Sequence, residues 1–147
     1  MSGAPNVESI VTTNVENDLA FARVVLNDHR LDQIESYVRS DFVEENPAPG
    51  QGPGRDGLRD FLAGFLTAFP DLTWTVQRTV AQGDTVAAWS IWKGKHDGEF
   101  MGIPATGRQV SVEAWTFDRF RDGCMASSRI LMDQLGLLRQ LGAIPAG

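Results

Sequence analysis

Residues Val110 to Asp133 read VSVEAWTFDRFRDGCMASSRILMD, and the fold turns on them. From Val110 to Phe120 the side chains alternate along the chain, the period-two pattern of a strand. Arg121-Asp122-Gly123 is a tight hairpin turn, because Asp-Gly accepts the positive φ such a turn needs. Cys124 to Asp133 is then a returning strand. Alternation puts Met125, Ser127, Arg129, Leu131 and Asp133 on one of its faces and Ala126, Ser128, Ile130 and Met132 on the other. Beyond it the chain is apolar again, and Leu135 to Leu141 reads as a short closing helix. An unpaired charge is costly to bury. Asp133 is therefore either a surface cap for that helix or a buried acid with a task.

Working back from the hairpin, Thr85 to Trp92 has apolar residues of both parities, as in a strand covered on two sides. Leu72, Trp74, Val76 and Val80 mark another strand, with Gln82-Gly83-Asp84 as the turn between the two. Upstream the period becomes helical. Leu58, Phe61, Leu62, Phe65 and Leu66 line one face of a helix over Asp56 to Phe69, which Pro70 ends. Asn46 to Gly54 is a Pro/Gly loop. Val15, Leu19, Ala22, Val25 and Leu26 predict a helix over Asn14 to Asn27. A shorter helix follows at Leu31 to Val38, then a further helical turn at Ser40 to Glu44. Residues 1–13 lack a pattern and read as a loose tail. Residues 14–147 form one domain. Helices first and antiparallel strands after predict an α+β fold: a curved antiparallel sheet with N-terminal helices across its open side, enclosing a cone-shaped pocket.

Composition narrows the function. The chain has 147 residues, 42% apolar and 22% charged, with net charge −6 and no basic run. That balance argues against nucleic acid or an anionic membrane surface as partner. A single cysteine, Cys124, suits a reducing compartment. With no long apolar span or leader pattern, a cytoplasmic protein is expected. His29 and His96 are far apart in sequence and offer no metal-ligand spacing, so no metal is expected. Gly52 to Gly57, GPGRDG, matches a dinucleotide fingerprint only formally, since no strand precedes it. Asp133, Arg129 and Glu45 remain as candidate acid/base groups. Asn46, beside a loop, and Tyr37 are candidate pocket polar groups. Trp74, Trp89, Trp92 and Trp115 all lie on strands, as core, subunit interface or pocket wall.

The segment GKHDGEFMGIPATGRQV, Gly94 to Val110, resembles a strand-joining motif of the SnoaL-like polyketide cyclases, within the nuclear-transport-factor-2-like superfamily. Three further pieces follow the same family in order: ENPAPGQGPGRDGLRDFLAGFLTAFPDL, RFRDGCM and DQLGLLRQLGAIP. The resemblance runs from about Asn14 to Pro145. It implies a deep apolar pocket and ring closure of a polyketide-type intermediate by aldol-type acid/base catalysis, without metal or cofactor. It assigns Asp133 as the acid/base by position, since it stands before G-L-L-x-Q-L-G. Arg129 and Glu45 depart from the family pattern. With Asp133 they resemble the carboxylate-and-arginine set of epoxide-opening relatives. Asn46, Tyr37, Trp115 and His96 are expected around the substrate, His96 serving either the hairpin or the ligand. A binding or assembly role without catalysis is the third expectation, and a homodimer through the sheet face is expected in each case.

Overall fold

The computed structural model describes residues 6–145. Helix α1 spans Val7–Phe21 and runs on into a π-helical turn over Ala22–Asn27. A 3₁₀ segment, Leu31–Ser36, leads to strand β1, Val38–Glu44. Helix α2 is Gly54–Ala68. Strands β2 (Thr73–Gln82), β3 (Thr85–Lys95), β4 (Gln109–Arg121) and β5 (Cys124–Met132) follow, and helix α3 (Gln134–Gln140) closes the chain. The five strands form one curved, open sheet in the order β1-β5-β4-β3-β2. No helix among the described residues is long and apolar enough to cross a membrane.

The α+β plan agrees with the sequence reading, with three corrections. First, Ser40 to Glu44 is strand, not helix: β1 pairs with β5, and in parallel, so the sheet is mixed. Register shifts between Val38 and Val43, and the buried Val38 and Phe42 stand four residues apart. That spacing imitates a helical turn. Second, α1 starts at Val7, within the expected tail, where the Asn6 side chain caps it by accepting the Ser9 N–H at 2.7 Å. Its first turns carry no apolar stripe, Val7 being 70% exposed, so nothing periodic announces them. Residues 1–5 of that tail lie outside the described residues. Third, register shifts by one residue between Arg119 and Phe120, where Met125 and Ser127 flank Ala126. A bulge of this kind moves side chains to the other face. Met125 thus joins Ser128, Ile130 and Met132 on the concave side, while Arg129 and Leu131 face out.

The hairpin turn is as expected. Asp122 and Gly123 take φ of 52° and 80°, the two positive values of a type I′ turn. Packing on the concave face is aromatic at one end: Phe65 meets Trp92 edge-on at 4.8 Å, and Phe69 meets it at 4.9 Å. At the other end the concave face and the helices separate, and the hollow between them is the site.

Candidate active site

The hollow has a volume of about 180 Å³, against roughly 10–15 Å³ for one water. It is therefore a chamber for more than an isolated water. Phe21 and Leu26 from the first helix, Leu58 and Phe61 from α2, and Trp74 and Ile130 from the sheet supply apolar wall. Asn46 to Gln51 forms one rim, and Phe100 and Met101 in the β3–β4 connection form another.

Into this apolar space three carboxyl groups project: Asp18, Glu44 and Asp118. Their placement follows from the elements. On β4 the residues of one parity, Val110, Val112, Ala114, Asp118 and Phe120, are buried. Asp118 is thus carried inward by the alternation that buries the core. On α1, Asp18 lies one turn before Ala22 and two before Leu26, on the stripe facing the sheet. On β1, Glu44 points inward like Phe42 while Val43 faces solvent. Glu44, Ser128 and Asp118 are register partners across β1, β5 and β4. They form a polar row across an otherwise apolar floor.

Asp18 and Asp118 face each other, 6% and 5% exposed. Burial and the neighbouring Asp118 carboxylate push the Asp18 carboxyl up to about 10. Burial also raises Asp118, but bonds from the Asp18 carboxyl and from the Ser128 and Thr116 hydroxyls oppose that rise. The pair therefore shares a proton, with Asp18 holding it and Asp118 the more anionic partner. Glu44 is raised by burial as well, and restrained by the Asn46 and Ile130 backbone N–H groups that it accepts. Among the described residues, no Lys, Arg or His lines the hollow, and no group of three His, Cys, Asp or Glu side chains gathers as a metal site.

The residues expected from sequence fall elsewhere, with one exception. Asp133 is exposed and caps α3, its Oδ1 accepting the Gly136 N–H at 2.9 Å. Its neighbours Met132 and Gln134 line the hollow, and it does not. A residue at the strand-to-helix junction meets the first orphan N–H groups of the helix, and Asp133 satisfies one of them. Arg129 and Glu45 lie on the outer side as a loose ion pair at 3.9 Å, 62% and 44% exposed. The arginine-and-carboxylate set that would open an epoxide is thus not assembled in the hollow. Trp115 is on the outer face, stacked on Trp89 at 5.7 Å. Tyr37 packs edge-on against Phe21, outside the lining. His96 is fully buried, its Nδ1 accepting the Thr106 N–H at 3.2 Å, and it holds the β3–β4 connection together. Asn46 does line the hollow, where its Nδ2 donates to the Ile130 carbonyl at 2.6 Å.

Sequence reasoning passed over Asp18, Glu44 and Asp118. Asp118 was legible in principle, sharing parity with Val110, Val112 and Ala114. Trp115 and Phe117 on the opposite parity hid that signal by making either face look like the core. Asp18 had the signal of an acid in line with Ala22 and Leu26. For Glu44 the bulged strand left no period to read.

Comparisons with known proteins agree with this architecture. The model of the SnoaL-like polyketide cyclase family matches residues 18–141. Nogalonic acid methyl ester cyclase of Streptomyces nogalater is 31% identical over 120 residues, covering 79% of this chain and 88% of that protein. Aklanonic acid methyl ester cyclase DnrD of Streptomyces peucetius is 42% identical over 60 residues, 41% of each chain. The solved structure of TsrD from Streptomyces laurentii superposes with a TM-score of 0.80 at 28% identity, covering 95% of this chain and 100% of that one. A cone-like α+β fold, a hollow under its helices and a family match across most of the chain lead to one conclusion: this protein belongs to the SnoaL-like polyketide cyclases.

Proposed function

We propose that this enzyme closes a carbon ring in a neutral, hydrophobic polyketide ester by intramolecular aldol addition inside the hollow, with Asp118 as the base. The observation that carries this reading is a carboxyl group buried in an apolar chamber beside a second buried carboxyl, its proton affinity raised by that burial. Such a group is a far stronger base than a carboxylate in water, where Asp titrates near 4. The substrate needs only a modest base, because a carbon between two carbonyls is acidic. Asp118 takes that proton, the enolate carbon bonds to a carbonyl carbon of the same chain, and the carbonyl electron pair moves to its oxygen. Folding both reacting ends into one chamber supplies much of the acceleration. Two of the relatives are named as cyclases of methyl esters, and a chamber lined by acids rather than cations suits a substrate whose own acid is masked. Acid/base work of this kind calls for no cofactor.

The test is direct. Nogalonic acid methyl ester incubated with the purified protein is expected to give an isomer of unchanged mass with one new ring, seen by chromatography and NMR. Ester left unchanged after prolonged incubation would overturn the reading.

We infer further that two copies pair through the outer sheet face. Trp115, Phe117, Val80 and Leu131 stand there 52–66% exposed, an apolar area that a second identical face would cover. Sedimentation is expected to give twice the 16.1 kDa chain mass, and Trp115→Glu to give a single chain. A wild-type monomer at micromolar concentration would contradict the pairing. The unpaired Cys124 suits the reducing cytoplasm; a fluorescent fusion collecting at the cell envelope would speak against that placement.

A further inference from the structure

Ring closure by aldol addition moves two protons. One leaves carbon, and one must reach the oxygen that becomes a hydroxyl. Asp118 accounts for the first. The Asp18 proton is already committed to Asp118, so it is poorly placed to meet the new alkoxide. The other polar groups of the lining are hydroxyls and amides: Ser90, Thr116, Ser128, Asn46, Gln51 and Gln134. None is acidic enough to protonate an alkoxide in a concerted step. One ionisable side chain of the lining remains.

We propose that Glu44 is a second catalytic residue of this enzyme, the acid that delivers a proton to the developing alkoxide opposite Asp118. The proposal rests on the ring-closing reading above. Its geometry is independent of that reading. Glu44 stands two strands from Asp118, with Ser128 between them, so their Cα atoms are about 10 Å apart at the usual strand spacing. Both side chains enter the hollow from its floor, leaving a gap in which the two reacting carbons of one substrate fit between the carboxyl groups. The Glu44 carboxyl is fixed rather than free: the Asn46 N–H reaches its Oε2 at 2.8 Å, and the Ile130 N–H also bonds it. Burial, and to a lesser extent the nearby charges of Asp118 across the floor and Glu45 on the outer side, favour its protonated form. It sits beside the rim residue Asn46, next to solvent.

Proton balance closes over one turnover. Carbon loses a proton to Asp118, and oxygen gains one from Glu44. Glu44 then takes a proton from water at the rim, and Asp118 releases its own through the Ser128 hydroxyl that it already bonds. Nothing is oxidised or reduced.

The experiment separates the two proton transfers. Nogalonic acid methyl ester in D₂O is followed by NMR for deuterium entering the acidic carbon above the uncatalysed rate, and for ring closure. Glu44→Gln is expected to keep that exchange within about threefold while closure falls roughly a hundredfold. The amide oxygen of the substituted side chain can still accept the Asn46 N–H, so the rim keeps its shape. Glu44→Asp, shorter but still acidic, should recover part of the lost closure. If Glu44→Gln closes the ring as fast as wild type, the proposal is overturned while Asp118 stands. It is overturned equally if exchange and closure fall together in Glu44→Gln, because the residue then serves proton removal or positioning. Wild-type protein that neither exchanges nor closes the ester overturns the ring-closing reading, and this proposal with it.

Discussion

Asp118→Asn is expected to lower kcat roughly 10²–10⁴-fold while leaving KM nearly unchanged. The base acts on a proton in flight, so its loss is felt in the transition state more than in substrate binding. The substitution is nearly isosteric. The Asn oxygen can still accept from two of the groups that now approach Asp118, the Asp18 carboxyl and the Ser128 and Thr116 hydroxyls, and its NH₂ can donate to the oxygen of the third. Removing an ionisable group from a site 5% exposed also removes a desolvation cost, so melting temperature should hold or rise near neutral pH. A variant that loses turnover through unfolding would reveal itself by a fallen melting temperature. Retained turnover in a folded Asp118→Asn protein would take Asp118 out of the mechanism.

The second large effect is on stability. Burial and the neighbouring Asp118 carboxylate push the Asp18 carboxyl up to about 10 in the folded chain, against roughly 4 when unfolded. Its folded pKa is the raised one. The stability it contributes is therefore fully present below the unfolded value, and is lost progressively as pH climbs towards the folded one. One proton held by the folded state alone makes stability fall by about 1.4 kcal/mol per pH unit in that window. Wild-type protein should thus lose several kcal/mol between about pH 5 and pH 8. Asp32, Asp41 and Asp84 have lowered values and finish titrating below that range, while the raised Glu44 and Asp118 carboxyls add to the fall. Asp18→Asn should make it clearly shallower, because an Asn amide donates to Asp118 without a proton to lose. Chemical denaturation at a series of pH values checks this; equal slopes in wild type and variant would contradict the shared-proton pair.

Much of the fold was legible because local and global signals coincide. In β4 and β5 the alternation, the Asp-Gly turn and the antiparallel register all say the same thing. In α2 the apolar stripe is broad, and Leu62 and Phe65 are buried as it implies. The reading failed where tertiary contacts override period. β1 is pinned to β5 at its two ends with a shift between, so its buried residues fall at helical spacing. The candidate site was less legible for a related reason. A strand's parity says which residues share a face, and burial decides which face is inside. With Trp115 and Phe117 on one parity of β4 and Val112 and Ala114 on the other, the larger side chains argued for the wrong side. They belong to the outer sheet face, where large apolar residues serve an interface as well as they would a core. Family resemblance led to the right fold and the right class of enzyme. Its positional carry-over to Asp133 met a residue whose carboxylate is engaged by the Gly136 N–H.

The central claim is that the acid at work lies under the helices, on β4, and not at the start of α3. Turnover of Asp118→Asn and Asp133→Asn, measured side by side on the same ester, tests it most directly. Asn caps a helix about as well as Asp, so Asp133→Asn should turn over like wild type while Asp118→Asn is nearly silent. An active Asp118→Asn beside an inactive, folded Asp133→Asn would contradict the account.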